Sequence, residues 1–178
     1  MNEITQLQGV IGYIISSFFC LYVTIKTWKR TPNRNSRWAW FSFFLISSLL
    51  VFDIQLSLRF LIKPYFVKLS LFFTTYAERN TLQVGLIMVV LISLIAFIYW
   101  LIVAKWLPLS IKLALTGSVI SILLFVLAII SMHAIDAIFY APLLHVFAVC
   151  WLWNIGALVI VAGVCIEAKN DSARTPSN

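Results

Sequence analysis

Between Leu82 and Ala104 the chain reads LQVGLIMVVLISLIAFIYWLIVA, without one charged side chain. A helix needs ~20 mainly apolar residues to cross ~30 Å of hydrocarbon. This stretch is long enough. Four other segments reach or approach that length: Val10 to Ile25, Trp38 to Ile62, Ile111 to Ile135 and Leu143 to Ile166. A closed barrel would need alternating apolar and polar residues, which these runs lack, so the spanning elements must be helices.

Composition agrees. Hydrophobic residues make up 62% of the 178 and charged ones 11%, and the mean hydropathy is +1.01. A soluble domain is about half apolar and about a quarter charged. The excess must face something other than water, and lipid is the economical answer. The length is that of one domain, residues 1–168, without room for a separate soluble module. Seven tryptophans and six tyrosines suit the aromatic belts of a membrane protein. The expected fold is an all-α integral membrane protein, a bundle of five transmembrane helices.

A net charge of +7 would suggest nucleic acid as partner in a soluble chain. Here the basic residues sit beside apolar segments, as topology signals and contacts to anionic headgroups do. No basic face with base-stacking aromatics lies outside the apolar runs, which argues against nucleic acid. Cys20, Cys150 and Cys165 form no Cys-x-x-Cys pair and all fall within apolar segments. They read as small buried residues rather than as a disulfide framework or thiol-exchange site. The leader MNEITQLQG carries Glu3 and no lysine or arginine, so the first segment is expected to be a retained helix rather than a signal peptide.

Loop charge sets the expected orientation. KTWKRTPNRNSR, between the first two segments, contains Lys26, Lys29, Arg30, Arg34 and Arg37. With five crossings, Lys105, Lys112, Lys169 and Arg174 fall on the same side, against Arg59, Lys63, Lys68 and Arg79 on or near the other. The richer side is assigned to the cytoplasm of a bacterial inner membrane, with the N-terminus outside and the C-terminus inside. The connection KPYFVKLSLFFTTYAERN begins with Pro64, which favours a break in the helix. It is too apolar for a free loop, so a short interfacial helix is expected between the second and third spans, with Lys68 and Glu78 toward water. Residues 169–178, KNDSARTPSN, are polar and are expected to form a disordered cytoplasmic tail.

Ionisable groups inside a membrane are expensive, at ~2.5 kcal/mol or more at its centre, and so are functional candidates. Asp53 is the deepest. It lies nine residues before the expected end of the second span at Ile62, roughly 13 Å below the outer boundary at ~1.5 Å per residue. A proton-coupled carrier would use such a group. A protonated carboxyl bonded to a neighbouring helix would also account for it. Arg59 reads as an anchor that snorkels to the interface. Tyr76, Glu78, Arg79 and Gln83 form YAERNTLQ at the start of the third span. Arg79 and Gln83 are one turn apart on one face, which suits an anion or headgroup site or a helix cap.

Both histidines fall in SMHAIDAIFYAPLLH, Ser131 to His145. His133 and Asp136 share a face of the outer end of the fourth span, and His145 opens the fifth. In an antiparallel hairpin the three come to one level in the outer leaflet. Two imidazoles and a carboxylate suit a metal, with a further ligand from Glu78 or Asp53, or a haem held by two histidines. The competing account is a helix end meeting water, where these residues are cheap. Asn154, inside the fifth span, reads as an interhelical hydrogen bond. Gly156 and Gly163 lie on one stripe, and Ser110, Ala114 and Ser118 on another, as a close helix contact requires.

The two patterns Tyr76-x-x-Arg79-x-x-x-Gln83 and Ser131-x-His133-x-x-Asp136 resemble those of a loose set of uncharacterised small bacterial multi-pass membrane proteins. The resemblance implies no activity. It implies that these residues act together. With no nucleophile–base pair, phosphate loop or thiol pair in the chain, the reading is a membrane protein of binding or accessory-subunit type. Its partners would be the bilayer and either another membrane subunit or a second copy. The alternatives are a redox protein holding haem or metal through His133 and His145, and a proton-coupled carrier using Asp53.

Overall fold

A computed structural model describes residues 3–30, 34–73, 79–130, 142–143, 147–148 and 151–174. Six helices make up nearly all of it: α1 (Glu3–Arg30), α2 (Arg34–Leu56), α3 (Leu58–Phe73), α4 (Arg79–Val103), α5 (Leu109–Ile130) and α6 (Trp151–Arg174). A pair of two-residue antiparallel strands, β1 (Pro142–Leu143) and β2 (Phe147–Ala148), lies between α5 and α6. Four stretches are long and apolar enough to cross a membrane: Val10–Lys29, Asn35–Leu56, Gln83–Val103 and Leu109–Ile130. The helix after them differs from expectation at both ends. It starts at Trp151 rather than Leu143, because Pro142–Leu143 pairs with Phe147–Ala148. It also runs past Lys169 to Arg174, where a disordered tail was expected. Lys26 on α1 explains part of that extension, since its Nζ stands 3.1 Å from Asp171.

The second expected span also ends early. Pro64 does not break the helix; it lies inside α3. The break is at Ser57, whose φ of 53° is left-handed and cannot continue a helix. Arg59 therefore belongs to α3, and Asp53 lies in the last turn of α2, closer to a helix end than the sequence suggested. At the other turn, Pro108 needs no N–H partner and its carbonyl accepts the Lys112 N–H at 3.0 Å, opening α5 directly after α4.

Two seams hold the bundle. Along α1 the buried residues include Val10, Tyr13, Ser16, Cys20, Val23, Thr24 and Thr27; along α2 they include Trp40, Phe43, Ser47, Leu50, Asp53 and Ile54. Both sets recur mainly in steps of three and four, the spacing that keeps one stripe of a helix against its neighbour. Trp40 belongs to this interior rather than to an interfacial belt; it is fully buried and meets Phe43 edge-on at 5.5 Å.

The α5–α6 seam, the most extensive of the bundle, is made of small residues. A methyl added to Gly163 would lie 2.6 Å from the Ser110 carbonyl oxygen and 2.9 Å from the Ala114 nitrogen. One added to Gly117 would lie 2.8 Å from the Ile160 nitrogen. Lipid tails give helices no hydrophobic reason to associate, so close backbone approach takes that role. Of the expected stripes, Gly163 meets Ser110 and Ala114, and Gly156 meets Gly117 and Ser121.

These contacts fix directions. Gly163 meets Ser110 and Ala114 while Gly156 meets Gly117 and Ser121, so α5 and α6 are antiparallel. Gly12 meets Asn154 and Lys26 meets Asp171, so α1 and α6 are parallel. Trp28 packs on Trp38 at 6.0 Å, and Val10 and Tyr13 cluster with Leu50 and Ile54, so α1 and α2 are antiparallel. α4 is the outlier: only 6% of its span is buried, and it lies on the edge of the bundle.

Candidate functional site

One end of the bundle carries the start of α1, the α2–α3 break, the start of α4, the end of α5 and the start of α6. The described polar candidates gather there on separate helices, each buried: Asp53 on α2, Gln83 on α4 and Asn154 on α6. Apolar neighbours surround this level. Val10, Tyr13, Leu50, Ile54 and Ala157 form one cluster, with Ile46, Val51 and Phe125 packed against it. Polar groups in such surroundings must be hydrogen-bonded or costly.

Gln83 shows how the need is met. Its Nε2 donates to the carbonyl oxygen of Ile130 at 2.9 Å, a buried bond between residues 47 apart. The last four carbonyls of a helix have no partner within it. Gln83 supplies one to α5, and thereby fastens the start of α4 to the end of α5. Ile130 directly precedes Ser131. The structure thus joins Gln83, the last residue of the first sequence pattern, to the residue immediately ahead of the second.

Asn154 is held differently. Its side chain fills the space that a Cβ on Gly12 would take, so α1 and α6 touch where an amide replaces a methyl. One turn deeper, the Tyr13 hydroxyl donates to Ser121 Oγ at 2.9 Å, linking α1 to α5. Ser121 in turn donates to the Gly117 carbonyl at 2.8 Å. Ser118 likewise donates to Ala114 O at 2.9 Å. The two serine hydroxyls return to carbonyls of α5 itself, so the bond that pins two helices in this layer is the one from Tyr13 to Ser121.

The opposite end is built around charge. Glu167 on α6 accepts a hydrogen bond from the Ser110 hydroxyl, and Asp171 pairs with Lys26. None of Tyr13, Ser121, Ser110 or Glu167 was legible as a partner. A hydroxyl that pins two helices has the same local sequence as one that returns to its own carbonyl.

Of the remaining candidates, Arg79 opens α4 and Arg59 falls near the start of α3. Tyr76, Glu78, His133, Asp136 and His145 lie outside the described residues, so the haem or metal geometry expected of the histidines lies there too. Among the described residues no three His, Cys, Asp or Glu side chains come together. No family model, no curated protein and no solved structure matches the chain.

Proposed function

We propose that this is a multi-pass protein of a bacterial inner membrane that acts by binding, as an accessory subunit or receptor-like component, through polar residues at its outer end. In this reading α1, α2, α4, α5 and α6 all cross, α3 lies in the outer interface, the N-terminus is outside and the C-terminus cytoplasmic. The cationic end formed by Lys26, Lys29, Arg37, Lys105, Lys112 and Lys169 carries this orientation, because cytoplasmic loops hold the excess of lysine and arginine.

The observation that carries the binding role is the bond from Gln83 to Ile130. It supports a site in which Arg79, Gln83, His133 and Asp136 act together, as the resemblance of the two patterns implies. Arg79 is one turn from Gln83 on the same helix. The Arg79 guanidinium and the His133 imidazole can donate to an anionic group at headgroup depth, and the Asp136 carboxylate would serve to orient them rather than to hold the anion.

Native mass spectrometry of the full chain extracted in mild detergent tests this. Wild type is expected to retain an added mass, from a lipid, a small molecule or a second chain, that Arg79→Ala and His133→Ala lose and Lys169→Ala keeps. Equal retention in all four proteins, or no added mass in wild type, would refute the reading. An absorption spectrum and metal analysis of the same sample decide the alternative chemistry. A haem band or stoichiometric metal lost in His133→Ala and His145→Ala would replace simple binding with a redox role.

A further inference from the structure

The end of the bundle remote from that site pairs exposed ammonium groups with exposed indoles. Lys29 follows Trp28 at the end of α1, and Lys105 precedes Trp106 in the α4–α5 turn; all four side chains are exposed. Trp28, Trp38 and Phe41 form a mutual edge-on group with centroids 5.9–6.3 Å apart. Trp100 and Trp106 meet at 6.3 Å. The aromatic groups therefore hold each other in place on the α1–α2 side and on the α4–α5 side of the same end.

Indole rings favour the depth of the lipid glycerol and carbonyl groups. A lysine one residue away, with its long apolar stem, places its ammonium at the phosphates. The two acids described at this end are already engaged, Glu167 by Ser110 and Asp171 by Lys26. Lys26, Lys29, Arg37, Lys105, Lys112 and Lys169 share the end with those two acids, as do Arg30, Arg34 and Arg174 at the helix termini. The end therefore carries an excess of positive charge.

We propose that this end is a docking surface for anionic phospholipid headgroups. Lys29 and Lys105 take the phosphodiesters, and Trp28 with Trp38 and Trp106 with Trp100 pack the glycerol and upper acyl chain. The proposal needs the chain to lie in a bilayer but does not depend on the outer-end site.

The test is lipid retention by the full-length protein in detergent, read by native mass spectrometry against matched phosphatidylglycerol and phosphatidylcholine. Wild type should retain phosphatidylglycerol preferentially, and Lys29→Gln/Lys105→Gln should lower that preference on the order of tenfold, since each basic residue near a surface contributes several-fold. Lys63→Gln/Lys68→Gln, which removes the same charge from α3, should leave it unchanged. Equal retention of both lipids by wild type overturns the proposal. So does an equal fall in the two double variants, which would reduce the effect to net charge. If the Lys29/Lys105 variant fails to fold, the wild-type preference must still collapse in ~0.5 M salt, where the Debye length falls below ~5 Å. A preference that survives the salt overturns it as well.

Discussion

Replacing Gly163 by alanine adds one methyl, and the structure says where it goes. It would lie 2.6 Å from the Ser110 oxygen and 2.9 Å from the Ala114 nitrogen, with the Ala114 methyl at 3.3 Å. Two of these are backbone atoms, so no rotamer change relieves the clash and α6 must move off α5. Parting by ~0.5–1 Å forfeits a quarter to a half of the dispersion energy of the atoms involved. Overpacking of this kind costs about 1–3 kcal/mol, roughly a five- to hundredfold change in the folded fraction. In water, alanine would recover up to ~1 kcal/mol through helix propensity. In a bilayer the unfolded reference keeps its helices, so little of that gain remains.

Gly85 is the internal control. A Cβ there meets nothing within 4 Å, so Gly85→Ala should be neutral or slightly stabilising. Both variants can be unfolded in mixed micelles with increasing SDS, following tryptophan emission. Gly163→Ala should unfold at a clearly lower SDS fraction than wild type, and Gly85→Ala at the same fraction or higher. If the two variants unfold together, the α5–α6 backbone contact is not what holds these helices.

Three other contacts make smaller predictions. Tyr13→Phe keeps the ring and removes the donor to Ser121, which should cost about 0.6–1.5 kcal/mol; a double-mutant cycle with Ser121→Ala should show coupling, and strict additivity would exclude the bond. Gln83→Leu should speed amide hydrogen exchange in the last turn of α5 and the first of α4, leaving the α1–α2 seam unchanged; unaltered exchange at Ile130 and its neighbours would mean that Gln83 does not fasten the two helices. Asp171→Asn should destabilise by about 0.2–1 kcal/mol because its partner Lys26 is 3.1 Å away and both side chains are 19% exposed. That loss should shrink in high salt, and a salt-independent loss would point to something other than the ion pair.

Helix existence was written in apolar run length; helix ends were not. A run such as Leu82–Ala104 admits one interpretation because nothing in it can satisfy a backbone group except a helix. Ends are decided by single residues, and the sequence misdirects there. Pro64 is a reasonable place to stop a helix, yet the chain turns at Ser57, a residue with no visible preference for a left-handed conformation. Leu143 is as apolar as any helical residue, but it is drawn into a strand pair with Phe147. The small-residue stripes on α5 and α6 could be read because their function is to be small, which is visible in composition. Gln83 was legible as a candidate by its place one turn from Arg79 at the start of a span, though its partner, a backbone oxygen on another helix, leaves no trace in sequence at all.

The directions of the helices bear on one matter that composition leaves open, the path of α3. α1 is antiparallel to α2 and parallel to α6, and α6 is antiparallel to α5. Gln83 near the start of α4 meets Ile130 at the end of α5, so α4 is antiparallel to α5 and therefore to α2. If α2 and α4 cross in opposite directions, whatever joins them must begin and end on one side. The proposed interfacial path of α3, with 16 residues and roughly 24 Å of length at 1.5 Å per residue, fits this arrangement, and its exposed Leu61, Tyr65, Leu69 and Phe72 would then meet the leaflet. Single cysteines in a cysteine-free background test the path in intact cells with a membrane-impermeant maleimide. Gln55 and Thr81, both exposed and flanking α3, should label from the outside when replaced by cysteine. Asn35 and Lys105, exposed at the other end, should label only after the membrane is opened. Labelling of Gln55→Cys and Thr81→Cys from opposite faces would make α3 a crossing helix and would reverse α4 relative to α2. Gln83 and Ile130 would then lie on the side opposite Asp53, and the outer-end site built on them would fall.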